Sequence, residues 1–124
     1  MNGIKFLLDT NIIIGLYENN PDVFMLLKIK DVAIKNCAYS AVTRMELLSF
    51  PALTPTDKNS IESLLSNMVY LGITPEIENE TIEFRRLHKA KLPDSIIAAT
   101  VKHHQLELLT LDKKLAIKLS IVNK

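Results

Sequence analysis

The chain of 124 residues contains one cysteine, no tryptophan and only 6% aromatic residues. A single cysteine, Cys37, excludes an intramolecular disulfide and favours a cytoplasmic protein, in which it is a packed core thiol rather than a nucleophile. The few aromatic side chains make base stacking a minor contribution to any nucleic-acid binding. Cysteine and histidine ligands at zinc spacing are absent, so no zinc site is expected.

A strong net charge and a long apolar run are also missing. The formal net charge is +1, so overall charge identifies no partner, and nucleic-acid binding would need a local basic patch. No apolar run approaches the roughly 20 residues of a membrane helix, and the N terminus does not resemble a signal peptide. We therefore expect no membrane association, and the length predicts one domain over residues 1–124.

What the sequence does contain is a repeated type of helix start. A capping residue precedes a proline, and an acid follows, at Asn20, Thr54 and Thr74. Leu92-Pro93-Asp94 has the proline and the acid but no polar cap. Helices are predicted over residues 11–18, 21–35, 41–49, 56–69, 75–90 and 93–104. Strands are predicted over residues 4–8, 38–40, 70–73 and 107–110, with a candidate fifth near 120–122.

This alternation of strands and helices predicts an α/β fold. Strands joined by helices pair in parallel, and the helices then cover both faces of the sheet. The expected architecture has three layers, α/β/α, around a central, mostly parallel sheet of four or five strands.

Two acidic residues end apolar strands. The run Phe6-Leu7-Leu8 stops at Asp9, and the run over residues 108–111 stops at Asp112. A buried carboxylate is costly unless it is hydrogen-bonded, paired or bound to metal, so Asp9 either caps a helix or holds a cation. Ligands bind beyond the carboxyl ends of parallel strands, where both acids would lie.

Two further acids occupy unusual helix positions. Asp94 opens a helix in line with its apolar face, and Glu46 lies within a helix between apolar residues. Taken singly, Asp94 could simply favour a helix N terminus, and Glu46 could pair with Arg44 or Lys35 in solvent. Asp112, like Asp9, could cap a helix. As a set, the four acids indicate a shared cation.

The ligands of such a site would all be oxygen atoms, which suit Mg²⁺ or Mn²⁺. Carboxylates without an obvious general base suggest that metal-activated water attacks a phosphodiester. Two metal ions ~3.5–4 Å apart would let one activate the water while the other stabilises the leaving oxygen.

Four segments of the chain, residues 7–11, 40–48, 91–100 and 109–112, together resemble the PIN domain. The resemblance is closest to the VapC-type ribonuclease toxins of bacterial toxin–antitoxin pairs. It implies a metal-dependent endoribonuclease that cuts single-stranded or loop RNA. It also implies a homodimer and an antitoxin partner, whose peptide covers the active site.

The resemblance assigns roles residue by residue. The catalytic acids are Asp9, Glu46, Asp94 and Asp112, of which Asp9 and Asp94 would hold the metal. Thr10, Asn11 and Thr110 are the polar residues that orient these carboxylates. Asp112 either binds metal through water or only caps a helix.

A basic segment precedes Asp94, and its residues predicted to contact the RNA backbone are Arg85, Arg86, Lys89 and Lys91. The lysines at 113, 114 and 118 are interpreted as solvated surface residues. Apolar residues at 24–27 and 64–69 exceed one helix stripe, and some could form a partner surface.

Two other functions compete with the nuclease. A catalytically inactive PIN-like binding module, acting through a protein partner, predicts a broken acidic set. A phosphotransfer receiver predicts an acidic pair early in the chain and a lysine at a late strand end. Asp9 has no acidic neighbour, and Lys113 follows an acid instead.

Overall fold

The computed structural model describes residues 3–122, with side chains described for residues 3–119. The strands are β1 (Phe6–Leu8), β2 (Cys37–Ser40), β3 (Val69–Leu71) and β4 (Glu107–Leu109). The helices are α1 (Thr10–Tyr17), α2 (Pro21–Ile29), α3 (Ala41–Leu48), α4 (Pro55–Leu65), α5 (Pro75–His88), α6 (Leu92–His104) and α7 (Lys113–Val122). A single 3₁₀ turn at Ile34–Asn36 precedes β2.

The four strands form one parallel sheet in the order β3-β2-β1-β4. Each pair of successive strands is joined by two helices, which is the crossover that parallel pairing requires. The predicted three-layer α/β/α fold is confirmed, with four strands.

The alternation of side chains along β1 divides the core into two layers. Phe6 and Leu8 pack with residues of α1, α2, α3 and α4 on one face of the sheet. Leu7, between them, packs with residues of α5, α6 and α7 on the opposite face. Both faces of a parallel strand are therefore apolar, and the charge at Asp9 begins only where the strand ends.

The prediction of one helix over residues 21–35 was wrong, because α2 ends at Ile29. Asp31 adopts a left-handed conformation with φ 54°. The backbone N–H of Val32 then bonds to the carbonyl of Leu27, and that of Asp31 to the carbonyl of Lys28. Glycine usually occupies the left-handed position of such a Schellman ending, so its absence here removed the signal that would mark the end of α2.

The candidate fifth strand near residues 120–122 was also wrong, because this segment ends helix α7. Leu115 and Leu119, four residues apart, are both buried in the second core layer, which is helical rather than alternating spacing. Helix α4 ends at Leu65, four residues before the predicted end, because the chain turns into β3 at Val69. None of the helices in residues 3–122 has the length and apolar character needed to span a bilayer.

Cys37 lies in the core, as the sequence indicates. It is fully buried, and its thiol donates a hydrogen bond to the carbonyl of Ala33 at 3.4 Å. Burial raises the pKa of the thiol to about 11, which keeps it protonated and unreactive.

Helices α1 and α2 approach closely at Gly15. A Cβ atom at this position would lie 2.3 Å from Cγ2 of Val23, a fully buried and stiff side chain. Gly15→Ala would gain up to about 1 kcal/mol of helix propensity, yet we expect overpacking to outweigh it, with a net loss of about 1–3 kcal/mol in the free energy of unfolding. Urea denaturation measures this change.

The matched control is the double variant Gly15→Ala, Val23→Ala. Removing the Val23 methyl groups makes room for the new one, so the double variant should be less destabilised than the sum of its single changes. Simple additivity would show that the two helices do not meet at this point.

Candidate active site at the carboxyl ends of the strands

The sheet has a natural crevice between β1 and β4. From β1 the chain proceeds to β2 and β3 on one side, and then returns to place β4 on the other side. In open α/β sheets the point where strand order reverses is where ligands bind, outside the carboxyl ends of the strands. Asp9 follows β1 at this point, and Thr110 and Asp112 follow β4.

Asp9 is both a helix cap and a buried carboxylate. Its side chain is 7% exposed, and it accepts hydrogen bonds from Thr10 N at 2.8 Å and from Thr110 Oγ1 at 2.6 Å. Burial raises its pKa, the two hydrogen bonds oppose that rise, and the charges of Glu46 and Asp112 raise it further. Asp9 is thus the helix cap that the sequence suggests. Its carboxylate is also buried in the crevice, where the charges of Glu46 and Asp112 repel it.

Asn11 and Thr110 join the ends of β1 and β4. The side-chain oxygen of Asn11 accepts from Leu111 N at 3.1 Å, while its amide group lies 3.4 Å from Thr110 Oγ1 and 3.5 Å from Asp9 Oδ2. Thr110 Oγ1 also accepts from Asp112 N at 2.9 Å. Both residues therefore contact Asp9, and together they hold the segments that follow β1 and β4 close to each other.

Glu46 reaches the same region from α3. Its Oε1 accepts from Thr10 Oγ1 at 2.7 Å, although Glu46 is itself exposed. Thr10 Oγ1 also lies 3.0 Å from Thr43 Oγ1, which in turn lies 3.4 Å from Ser40 Oγ. These contacts form a chain of hydroxyl groups, Ser40, Thr43 and Thr10, that ends at the carboxylate of Glu46. Since a hydroxyl has one proton, Thr10 can donate to only one of its two partners at a time.

Sequence reasoning missed two members of that chain, Ser40 and Thr43. Both are completely buried, and Ser40 caps α3 through Thr43 N at 3.2 Å. The signal was available, because buried hydroxyls three residues apart at a helix start, followed by Glu46 three residues later, lie along one helix face.

Asp94 enters from the first turn of α6, on the other face of the sheet. As expected, Lys91 at the N-cap makes no side-chain capping bond. Partial burial raises the pKa of Asp94, and the charges of Asp112 and Asp9 raise it further, whereas Lys91 and Lys118 oppose the rise. Asp94 therefore lies within electrostatic reach of both Asp9 and Asp112.

Asp112 caps α7. Its Oδ1 accepts from Lys114 N at 3.0 Å and from Leu115 N at 3.2 Å. Capping does not remove its charge from the site, because that charge raises the pKa of both Asp9 and Asp94.

The donor set fits a hard divalent cation. The side chains that converge carry carboxylate and hydroxyl oxygens, and their mutual repulsion is what a cation would relieve. Across residues 3–122, no group of three or more His, Cys, Asp or Glu side chains encloses a ready-made metal site. Mg²⁺ needs only one or two direct carboxylates, since it keeps several waters. Asp9 and Asp94 could supply these two ligands.

The basic segment before Asp94 divides into two parts. Lys89 and Lys91 line the same cavity as Asp94 and Asp112. Arg85 and Arg86 instead line a separate groove, and Arg85 Nε donates to the carbonyl of Ala90 at 3.3 Å. Of the four predicted RNA contacts, Lys89 and Lys91 therefore line the cavity that contains Asp94 and Asp112.

A second concavity is apolar. A groove of about 330 Å³ runs between the end of α1, the loop after α3 and the start of α4. Among its lining residues, Tyr17 and Phe50 are 39% and 48% exposed, and Glu18 and Asp57 lie at its edge. Helix α1, which Asp9 caps, also contributes Ile13 to this groove, so the groove begins about one helical turn from the acids.

Comparison with known proteins gives a consistent set of matches. The sequence model of the PIN domain matches residues 6–118. A toxin–antitoxin complex from Klebsiella pneumoniae contains a chain with 31% identity and a TM-score of 0.77, covering 89% of this chain and 88% of that chain. No curated protein sequence gives a significant match.

Two further solved structures share the fold at lower identity. VapBC-1 from nontypeable Haemophilus influenzae matches with 22% identity and a TM-score of 0.77, covering 95% of this chain and 94% of that chain. FitAcB from Neisseria gonorrhoeae matches with 23% identity and a TM-score of 0.69, covering 93% of both chains.

Proposed function

The chain belongs to the PIN domain family of nucleases, and from this premise we propose that it is a divalent-metal-dependent endoribonuclease, the toxin of a toxin–antitoxin pair. One observation carries the proposal. Asp9 and Asp112 follow the two strands at which strand order reverses, and Asp94 shares a cavity with Asp112. Burial raises the pKa of both Asp9 and Asp94, and the charge of Asp112 raises both further. A protein gains nothing in stability from such repulsion, so a functional cation is the simplest reason for it.

The residues take distinct roles in this proposal. Asp9 and Asp94 would hold the ion, while Glu46 and Asp112 would bind water molecules around it. The hydroxyl of Thr110, 2.6 Å from Asp9, fixes the orientation of that carboxylate. Mg²⁺ and Mn²⁺ suit this ligand set equally. When bound, such an ion lowers the pKa of a nearby water and neutralises charge on the phosphodiester.

Removal of metal is the first test. We expect the purified chain, freed of any partner, to cut a mixed pool of single-stranded and hairpin RNAs in Mg²⁺ or Mn²⁺. Chelation with EDTA should stop cleavage, and an excess of either ion should restore it, because the carboxylates alone offer no other activation of water.

Two results would contradict the proposal in different ways. Cleavage that continues in EDTA would contradict the metal site. A folded chain that neither cuts RNA nor binds Mn²⁺ would instead support the competing function, an inactive PIN-like module that acts through a protein partner.

The antitoxin partner is proposed to occupy the apolar groove. The similar solved structure from Klebsiella pneumoniae is a toxin–antitoxin complex. The groove exposes Tyr17 and Phe50, and the acidic residues Glu18 and Asp57 lie at its edge. These features suit an amphipathic helix with basic flanking residues, which could extend over the adjacent acids.

A charged substitution in the groove should separate inhibition from catalysis. We expect Phe50→Asp to abolish copurification with the antitoxin, because a carboxylate would be buried against apolar side chains, while RNA cleavage continues. The matched control is Ile82→Asp, at a residue that is 52% exposed on α5. Loss of the complex in both variants, or in neither, would place the antitoxin elsewhere.

The proposal extends to the oligomeric state and the cellular location of the protein. We propose one cytoplasmic domain over residues 1–124 that forms a homodimer. Of the apolar residues singled out in the sequence, Leu27 and Leu65 are buried, whereas Phe24 and Met25 are exposed on α2. Sedimentation at several protein concentrations would test the dimer, and these two side chains are the first candidates for its surface.

A further inference from the structure

We propose that four lysines beside the acids form a subsite for a backbone phosphate of the RNA, next to the phosphodiester that is cut. The cavity that carries this subsite has a volume of about 260 Å³. Its charged lining residues are Lys89, Lys91, Lys114, Lys118, Asp94 and Asp112. The subsite rests on the proposed function, and it gives a role to Lys114 and Lys118, which the sequence left as solvated residues.

The lysines come from two elements that the fold fixes separately. Lys89 ends α5 in a left-handed conformation with φ 50°, which turns the chain so that Lys91 precedes α6 beside Asp94. Lys114 and Lys118 lie four residues apart on α7, and therefore on one face of that helix. Leu115 anchors that helix in the core at 2% exposure. The cavity is thus a fixed junction of two elements.

Charge in the cavity is separated rather than paired. Lys91 and Lys118 act on the charge of Asp94, yet within the described part of the chain none of the four lysines comes within 4.0 Å of a carboxylate oxygen. Elsewhere Lys30 does form a direct ion pair, with Glu107. The four ammonium groups are therefore available to an external anion, and the acids to a cation.

A backbone phosphate suits this arrangement better than an isolated charge would. The cavity is lined by four positive and two negative side chains, and Asp94, one of the negative ones, is a proposed metal ligand. An RNA strand whose cut phosphodiester lies at the acids would extend its neighbouring phosphate towards the lysines. Lysine contacts to phosphate carry no sequence information, so the subsite would set position and affinity rather than base preference.

The predicted arginine contacts do not share this site. Arg85 and Arg86 line a groove with Ile82 and Leu92, and neither arginine lines the cavity that contains Asp94 and Asp112. Arg85 also donates to the carbonyl of Ala90, which supports the turn before α6. Near the acids, the phosphate contacts therefore fall to the lysines of α7 rather than to these arginines.

The test measures RNA binding without cleavage. A fluorescein-labelled single-stranded RNA of mixed sequence is titrated with the full chain in EDTA, and anisotropy is followed at several salt concentrations. We expect Lys114→Gln, Lys118→Gln to weaken binding by about tenfold and to reduce the slope of log K against log salt by about 0.7 for each phosphate that is no longer neutralised. Lys114→Arg, Lys118→Arg should retain binding, because the charge remains.

The matched control changes the net charge by the same amount elsewhere. Lys58 and Lys102 are exposed on α4 and α6, outside the cavity, and their double change to Gln should leave affinity and salt slope near those of the wild type. Thermal melting shows that each variant is folded.

Each outcome decides the inference. If both pairs of Gln substitutions weaken RNA binding equally, the effect comes from net charge alone. If the Lys114→Gln, Lys118→Gln variant binds RNA as the wild type does, the cavity would instead bind an acidic segment of a protein partner. Either result overturns the subsite. If the α7 pair alone weakens RNA binding while the wild type fails to cleave in metal, the subsite stands and the nuclease proposal fails.

Discussion

Replacing Asp94 with Asn should reduce RNA cleavage by more than about 100-fold, since losing even an outer partner of a metal ligand costs about 10–100-fold. Asn keeps the size of the side chain but removes the charge that would bind a cation. Cleavage of the mixed RNA pool in Mg²⁺, with protein concentration as the variable, measures the loss.

The same variant should be more stable than the wild type when metal is removed. Burial and the charges of Asp112 and Asp9 raise the pKa of Asp94, so its ionised form opposes folding at neutral pH. This penalty grows as pH rises from the ordinary pKa of about 3.9 to the folded-state pKa, and it is absent at lower pH. The melting temperatures in EDTA should therefore differ most at neutral pH and converge in acid.

Adding metal should reverse the order of the two melting temperatures. A ligand that binds only the folded state stabilises it by about 2.7 kcal/mol at 100 times its dissociation constant, so Mn²⁺ should raise the melting temperature of the wild type more than that of Asp94→Asn. Glu62→Gln, at an exposed acid on α4, is the matched control and should behave as the wild type. Equal activity of Asp94→Asn and the wild type would remove Asp94 from the site.

Replacing Thr110 with Val should weaken Mn²⁺ binding by about 10–100-fold. The hydroxyl of Thr110 donates to Asp9 at 2.6 Å, accepts from Asp112 N at 2.9 Å and lies 3.4 Å from the amide of Asn11. Its loss would remove the stronger of the two hydrogen bonds that lower the pKa of Asp9, so the carboxylate would be held less firmly and would ionise less readily. Isothermal titration with Mn²⁺ measures the affinity.

The conservative change separates orientation from packing. Thr110→Ser keeps the hydroxyl and should retain most of the affinity, whereas Thr110→Val keeps the branched shape and should not. If both variants bind Mn²⁺ as the wild type does and only the melting temperature falls, Thr110 supports the end of β4 and not the metal site.

The sequence predicted the architecture because its strongest signals are local. Proline after a polar cap marks α2, α4 and α5, and the structure begins these helices at Pro21, Pro55 and Pro75. Short apolar runs between helices mark the strands. The end of α2 was missed because Asp31, rather than a glycine, adopts the left-handed conformation that closes the helix.

The fate of Asp112 shows why local reasoning leaves alternatives open. The sequence allowed either a cap or a metal-associated acid, and a single residue can be both. The structure shows the cap, with bonds to Lys114 N and Leu115 N, and also the electrostatic effect of Asp112 on Asp9 and Asp94. Only the packing of distant elements brings Asp112 close enough to act on these two carboxylates.

By itself, the sequence determined the α/β class and the approximate positions of the four strands described, since the patterns that mark strands and helices act along the chain. The tertiary structure decided which side chains share a site. Strand order brings β4 beside β1, so Thr110 reaches Asp9 across 101 residues. Packing of α7 likewise places Lys114 and Lys118 beside Asp94, whereas Arg85 lines a different groove. Contacts between distant segments depend on how whole elements pack, and no local pattern specifies that packing.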